Sequence, residues 1–319
     1  MDNIEKSMRY VVTGGAGFIG SNICKKIIEN GDFVKVIDNL STGYKKNIFE
    51  LFENKNFEFV EMDLSDYAKL VDELQGYDCV IHLAALNSVP RSFKYPRETF
   101  INNLMGSINI LEASRINEIK KVVISSSSSV YGDSEKLPKS EDMIKNPKSM
   151  YAQQKSSIEE FCEQYSKNYK MNITCLRYFN VFGPNQDPDS EYSAVIPLFI
   201  KKIMNKEEII VNGSDQISRD FTYVDNVVNG TIGVTKSGLI GFNFFNLAAG
   251  NRITLKKMIE LISKNLEIEA KVKIGPYRVG DIMHSMASIT KLNEALKINE
   301  MISFEDGIKN TVKYFQEIL

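Results

Sequence analysis

The sequence predicts an α/β protein built on a doubly wound, parallel sheet, with a smaller C-terminal substrate-binding lobe. Three observations carry that expectation. Short apolar runs alternate with segments of helical period through the first half of the 319 residues, a glycine pattern marks the first strand-to-helix turn, and the second apolar run ends on an acid. Strand and helix in strict alternation favour parallel strands joined by right-handed crossovers.

Taken in order, "RYVVTG", "FVKVID", "FEFVEMD", "CVIHLAA", "KVVISSS" and "ITCLRYF" read as strands, each a short β-branched or aromatic run bounded by turn formers. "GSNICKKIIENG" and "RETFINNLMGSINILEASRI" between them have helical period. After Asn180 the rhythm loosens. "NVFGPNQDPDSEYS" is rich in turn residues, and the short strands "EEIIV", "RDFTYV", "FFNLA" and "KVKIG" follow with further helices. Thr254 and Ser303 read as N-caps, Ser303 with Asp306 resembling a capping box. The expected division is 1–180 for a Rossmann-type cofactor domain and 181–319 for the second lobe, some elements of which return to the first.

Composition excludes several classes of partner. Hydrophobic content of 43% and charged content of 25% are those of a soluble globular protein. A formal net charge of −2 gives no electrostatic case for nucleic acid or an anionic membrane, so an anionic substrate must be held by local Arg groups and helix N-termini. Cys24, Cys79, Cys162 and Cys175 are scattered without CxxC spacing, which points to buried reduced thiols and to no metal site. The chain has no long apolar run, and "MDNIEKSMRY" lacks the apolar centre of a signal peptide; a cytoplasmic location is expected.

"VVTGGAGFIG" sets Gly14, Gly17 and Gly20 between a strand and a helix. Glycine there allows a tight turn, close approach of a pyrophosphate and helix-on-strand packing, with the helix N-terminus facing the negative charge. Asp38 ends the second strand. A carboxylate there accepts hydrogen bonds from both ribose hydroxyls of NAD and repels the 2′-phosphate of NADP. Lys45 and Lys46 lie beyond the "NLSTG" turn, so NAD is the expected cofactor. Asp63 either reaches the adenine amino group or lies in a turn where Ser65 caps a helix.

"SMYAQQKSS" places Tyr151 and Lys155 one helical turn apart on one face. A phenol with a reference pKa of about 10 becomes a usable base near neutrality beside an ammonium and a nicotinamide cation. The preceding strand ends in "SSSSSVYG", five hydroxyls in a row. A polar strand cap and a hydroxyl-lined active-site floor both account for that block when it is read alone.

These stretches together resemble the extended short-chain dehydrogenase/reductases of the nucleotide-sugar epimerase/dehydratase type. The resemblance spans "TGGAGFIG", "DNLSTG", "HLAA", "NNLMGSINIL", "SSSSVYG", "YAQQK", "LRYFNVFGP", "SRDFTYVDN" and "RVGD". In "AALNSVPRS", "FNVFGPNQDP" and "AVIP" the chain is most similar to the UDP-N-acetylglucosamine 4-epimerases of that family. The resemblance implies Ser127, Tyr151 and Lys155 as the catalytic set. Tyr151 would take the sugar 4-OH proton, Ser127 would position it, and Lys155 would bind the nicotinamide ribose and lower the Tyr151 pKa.

It further implies NAD contacts from Gly14, Gly17, Phe18, Ile19, Gly20, Asp38, Asn39, Ser41, Thr42, Gly43, Asp63, Leu64, Ala84, Ala85, Asn103, Tyr151, Lys155 and Tyr178. Asn103 would support that end of the site through a water or backbone group. A UDP-sugar would meet Ser88, Val89, Arg91, Ser127, Ser128, Ser129, Asn180, Ala194, Val195, Arg219, Arg278, Asp281 and Ser285. The two arginines are implied for the diphosphate, although alone each would read as a surface ion pair. Dehydratases and decarboxylases of the family carry an acid where this chain has Ser129, so the serine block suits reversible oxidation at C4. Met150 and Gln154 depart from the family's usual residues, off the Tyr-Lys face. His82 reads as a structural group at a strand end, His284 is unassigned, and a homodimer through helices around 95–117 and 150–169 follows by analogy.

The reading is therefore a 4-epimerase of UDP-N-acetylglucosamine and UDP-N-acetylgalactosamine that also takes UDP-glucose and UDP-galactose. The alternatives are a UDP-uronate 4-epimerase, a net reductase and a non-catalytic NAD sensor. Asp38→Ala should weaken NAD retention and relax discrimination against NADP, measured by the cofactor released from purified protein. Wild-type protein that already holds NADP as well as NAD would remove the Asp38 argument.

Overall fold

In the computed structural model of the chain, which describes residues 7–191, 193–277, 283–298 and 300–319, each apolar run of the first half forms a strand. β1 (Arg9–Thr13) turns into α1 (Phe18–Glu29), followed by β2 (Phe33–Asp38), β3 (Phe57–Glu61), α2 (Tyr67–Glu73) and β4 (Cys79–His82). Then come α3 (Val89–Lys94), α4 (Pro96–Thr99), a π-helical turn over Phe100–Met105 and α5 (Gly106–Ile116). β5 (Lys121–Ser127), α6 (Met150–Tyr169) and β6 (Asn172–Tyr178) complete this half. Elements of the second half are shorter: β7 (Val181–Phe182), α7 (Val195–Met204), β8 (Glu208–Asn212), β9 (Ser218–Arg219) and β10 (Thr222–Tyr223). After them come α8 (Val224–Lys236), β11 (Phe242–Leu247), β12 (Ile253–Thr254), α9 (Leu255–Leu266), β13 (Lys271–Gly275), α10 (Thr290–Leu296) and α11 (Phe304–Ile318).

Seven strands form one sheet in the order β11-β6-β5-β4-β1-β2-β3. The pairs among β1 to β5 are parallel. All of β4 and all but the first residue of β1 are buried, as expected for strands covered by helices on both faces. Val11, Ile37, Val80, Ile110, Leu111, Ile124 and Ile158 lie at the centre of that packing. The strand order reverses between β1 and β4, where Thr13 pairs with His82. The crevice beyond the carboxyl ends of strands at such a reversal is where doubly wound sheets bind ligands.

The structure departs from the sequence expectation at a helix and at the boundary between the two halves. One helix was predicted over "RETFINNLMGSINILEASRI", and the structure interrupts it with the π turn, which carries the buried Asn103. Residues 131–146, placed with the first domain by sequence, cluster with the second. The first unit comprises Met1–Val130, Pro147–Arg177 and Val228–Phe244, and the second Tyr131–Asn146, Tyr178–Val227 and Phe245–Leu319. The reason is local pairing. The Lys139 N–H donates to the Met286 carbonyl at 2.7 Å, and the Tyr131 hydroxyl donates to Asn246 at 2.6 Å.

The second unit is gathered around Asp220. This buried carboxylate accepts the N–H groups of Ala249 (3.0 Å), Gly250 (3.1 Å) and Ala287 (2.9 Å). Burial pushes its pKa up to about 6 against those bonds. Thr254 and Ser303 cap α9 and α11 as the sequence predicts, accepting from Lys257 and Asp306.

Among the described residues of the first unit, Arg177 and Glu159 form an enclosed ion pair. Arg177 on β6 forks onto Glu159 on α6 at 2.8 and 2.7 Å, and the Ser126 hydroxyl donates to the same carboxylate at 2.6 Å. Both partners are nearly excluded from solvent. Removing one partner of such a pair leaves a buried charge and costs about 3–5 kcal/mol. Glu159→Ala should lower unfolding stability by that order, read as a reduced urea midpoint at unchanged slope.

Candidate active site

The glycine turn packs as a turn of this kind must. Gly14 has φ +71°, and a Cβ there would lie 2.7 Å from the Ala84 nitrogen; at Gly20 it would lie 2.2 Å from the Gly14 carbonyl. Phe18 and Ile19 open α1, which has no side-chain cap and no acid in its first turn. Its first N–H groups are therefore left for an anionic group. Asp38 ends β2 with one oxygen accepting the Ala16 N–H at 3.0 Å and the other the Leu40 N–H at 2.8 Å. Burial raises its pKa, and those two N–H groups oppose the rise.

The loop after β2 folds back onto the glycine turn. Gly43 lies so near that a Cβ would meet the Ala16 carbonyl carbon at 2.9 Å and the Asp38 carboxylate at 3.0 Å. The Tyr44 N–H and the Asn47 amide both donate to the Ala16 carbonyl, at 3.0 and 2.9 Å. Asn39 donates to Asp63 at 2.6 Å and accepts the Ser41 N–H. Asp63 also accepts the Ser65 N–H; burial works against its ionisation, but these bonds outweigh it and its pKa is lowered. Ser65 is not the cap of α2, since Asp66 takes that place and accepts from Lys69. A turn that only glycine fits, an uncapped helix N-terminus and an enclosed carboxylate at the end of β2 fit the pyrophosphate and ribose of NAD.

The serine block finds its partners on one face of α6. Tyr151 is hydrogen-bonded to Ser127. Lys155 donates to the Ser125 carbonyl at 2.6 Å and to its hydroxyl at 3.3 Å. Glu159 accepts from Ser126. Ser127 in turn accepts both the backbone N–H (3.2 Å) and the hydroxyl (2.9 Å) of Ser129. Three helix residues at a spacing of four thus meet the end of β5.

Among the chain's own residues, burial dominates the electrostatics of the pair. Burial pushes the Tyr151 phenol up to about 12, opposed by the Ser127 hydrogen bond. Burial also pulls the Lys155 ammonium down to about 8. The Lys155 nitrogen lies 6.0 Å from the Tyr151 ring centre and is turned to Ser125. The chain's own residues therefore hold Tyr151 neutral, and the charge that would favour tyrosinate comes with a bound cation.

A second polar chain braces this centre. Ser107 donates to the Asn103 carbonyl at 2.6 Å, so it accepts from His82 Nε2 (2.9 Å), and His82 Nδ1 accepts the Thr13 hydroxyl (2.7 Å). Both ring nitrogens are engaged, which makes His82 structural. Asn103 clamps the Leu86 backbone through both halves of its amide and donates to Gln154 at 2.8 Å. Gln154 also donates to Thr99 at 3.1 Å. Asn103 thus supports the backbone of the loop that follows Ala84 and Ala85, and the Gln154 departure has its reason in that partner.

The remaining candidates fall in two places. Ser88 caps α3 by accepting the Arg91 N–H, Val89 is exposed, and the Arg91 guanidinium is engaged by Glu98 at 3.0 Å. Leu64 packs under Gly106, where a Cβ would lie 3.6 Å from it. In the second unit, Tyr178 is buried at the end of β6, and Ala194 and Val195 begin α7. Asn180 donates to the Asp220 carbonyl. Arg219 donates to the carbonyls of Ser218 and Met283, and the Ser285 N–H to that of Ser218, so Arg219 and Ser285 share the Ser218 carbonyl. His284 is held by the Ser218 hydroxyl at 2.8 Å. Arg278 and Asp281 lie outside the described residues. The sequence reading missed Asn47, Ser92 and Glu159; for Glu159 the signal was its spacing of four from Lys155.

Residues 10–243 match the model of the NAD dependent epimerase/dehydratase family. The chain belongs to that family. Its fold is that of the extended short-chain dehydrogenase/reductases, and this enzyme's cofactor is NAD. A UDP-N-acetylglucosamine 4-epimerase from Methanobrevibacter ruminantium, solved with UDP-N-acetylmuramic acid, is 39% identical with a TM-score of 0.94, covering 98% of this chain and all of that one. A UDP-glucose 4-epimerase from Thermotoga maritima, solved with UDP-glucose, is 35% identical with a TM-score of 0.91, covering 97% of this chain and 99% of that one. The UDP-glucuronate 4-epimerase of Thermodesulfobacterium geofontis is 33% identical over 97% of this chain and 96% of its own. No described helix is long and apolar enough to cross a membrane, and the described residues contain no cluster able to hold a metal ion.

Burial pulls the His82 imidazole down to about 3 from its ordinary 6.5, with the Lys155 charge adding to the effect. A depressed folded-state pKa contributes stability that is fully present above pH 6.5 and is lost as pH falls towards 3. The urea midpoint of the wild type should therefore fall more steeply than that of His82→Gln between pH 6.5 and 4; parallel curves would contradict it.

Proposed function

We propose that this enzyme interconverts UDP-N-acetylglucosamine and UDP-N-acetylgalactosamine, and also UDP-glucose and UDP-galactose, by reversible oxidation at C4. The observation that carries the reading is the hydroxyl block at the end of β5. Ser127 is the side chain that opposes the upward push of burial on Tyr151, and serines stand at 128 and 129, where the resemblance implies an acid in the dehydratases and decarboxylases. Bound NAD supplies a reversible hydride acceptor and a ring cation that favours tyrosinate. Tyr151 removes the proton of the 4-hydroxyl as C4 is oxidised, and returns it when the planar 4-keto carbon is reduced from its other face. Ser127 holds that proton's path and Lys155 the nicotinamide ribose.

The UDP moiety is assigned to the second unit, with Arg219 and Arg278 on the diphosphate, Asp281 at the uridine ribose, and Asn180, Ala194 and Val195 beside them. Bidentate pairing favours Arg for that task. A homodimer is inferred through the helices around 95–117 and 150–169. The exposed Phe100, Met105, Phe161 and Tyr169 on those segments support it. Four buried free thiols suit a reducing, cytoplasmic compartment.

Ser285 is the basis for choosing the N-acetylated pair. It is small and half-buried, with its N–H on the Ser218 carbonyl, and we read so small a side chain there as admitting an acetamido group. The UDP-glucuronate relative favours a second reading, a UDP-uronate 4-epimerase. Incubation with UDP-N-acetylglucosamine, UDP-glucose and UDP-glucuronate, with products resolved by proton NMR, separates the two. Overpacking by Ser285→Tyr costs about 1–3 kcal/mol, so kcat/KM for UDP-N-acetylglucosamine should fall roughly 5- to 150-fold relative to UDP-glucose. An unchanged ratio removes the Ser285 role, and a wild type active only on the uronate replaces the reading.

A further inference from the structure

Ser92 has no exposed surface and no part in the chemistry described so far. Its hydroxyl donates to the Val89 carbonyl at 2.7 Å, within its own helix. With its hydrogen so placed, the oxygen accepts the backbone N–H of Tyr151 at 3.1 Å. Tyr151 is the second residue of α6, where a backbone N–H has no partner inside the helix. Ser149 caps the same helix in the usual way, accepting from Ala152 at 3.1 Å. The helix that bears Tyr151 and Lys155 therefore has two caps, one from its own N-terminus and one from α3.

We propose that Ser92 is a positioning residue for Tyr151, fixing the backbone from which the phenol reaches Ser127. The proposal rests on the reading of Tyr151 as the base at the 4-hydroxyl. Without the Ser92 oxygen, the Tyr151 N–H is left partnerless and the first turn of α6 is free to shift. A shift at that N–H is carried outward along the ring and loosens the bond with Ser127. That bond opposes the rise of the Tyr151 pKa, so its loss reduces the fraction of tyrosinate at a given pH.

The test compares Ser92→Ala with Ser149→Ala and Tyr151→Phe in the NAD-loaded enzyme, using UDP-N-acetylglucosamine, or UDP-glucuronate if that is the sugar turned over. Each lost cap lowers thermal stability to a similar degree. For Ser92→Ala, kcat should fall about 10-fold with KM nearly unchanged, since a small misplacement acts on the reacting geometry. The limb of its kcat–pH profile that reports Tyr151 should move up by about half a unit or more. Ser149→Ala should leave that limb in place, and NAD content should be unchanged in both. Should Ser92→Ala fail to fold, Ser92→Cys keeps the volume with a poor acceptor and is read by the same assay. A limb that stays in place in the Ser92 variant overturns the proposal, whether or not kcat falls, and leaves Ser92 a cap like Ser149. Turnover by Tyr151→Phe near the wild-type level instead overturns the reading of Tyr151 itself.

Discussion

Tyr151, Lys155 and Glu159 project from successive turns of α6 onto the end of β5, and each meets a different serine there. The rest of the first unit is arranged around keeping that contact in register. Arg177 on the neighbouring strand neutralises Glu159, so the helix cannot slide without exposing a buried charge. Gln154, on another face of the same turn, is held by Asn103 and Thr99. Side-chain reach is short, and a displacement of an ångström at any of these points would reach the phenol.

The strands, the glycine turn, Asp38 and the Tyr-Lys face were legible in the sequence because each depends on periodicity or on a residue type with a single use. Gly14 and Gly20 read correctly for that reason, since their turn admits no Cβ. What was not legible depended on partners distant in the chain. Nothing local marks Ser92 as the partner of a backbone group 59 residues on, or Asn103 as the clamp of Leu86. The strand residues "RDFTYV" form two short pairings instead of one strand, β9 with β12 and β10 with β7. Between them Asp220 turns inward to collect N–H groups from two other segments. The upward push of burial on Tyr151 was not legible, because spacing shows which groups are neighbours and cannot show how deeply they are buried.

The two units use charge in different ways. In the first, charges near the chemistry are enclosed and matched, as with Glu159 and Arg177, or forced towards neutrality, as with Lys155 and His82. Such a setting responds strongly to any charge a ligand brings, because little water remains to screen it. In the second, Arg219 is half-buried and donates to the backbone carbonyls of Ser218 and Met283.

The π turn at Phe100–Met105 has a further consequence. It holds one residue more than the α-helical path it interrupts. Each α-helical residue turns the chain by about 100°. Deleting a residue of that turn ahead of Asn103 would rotate the Asn103 amide away from Leu86. Over these six positions the number of residues is itself constrained, apart from their identity.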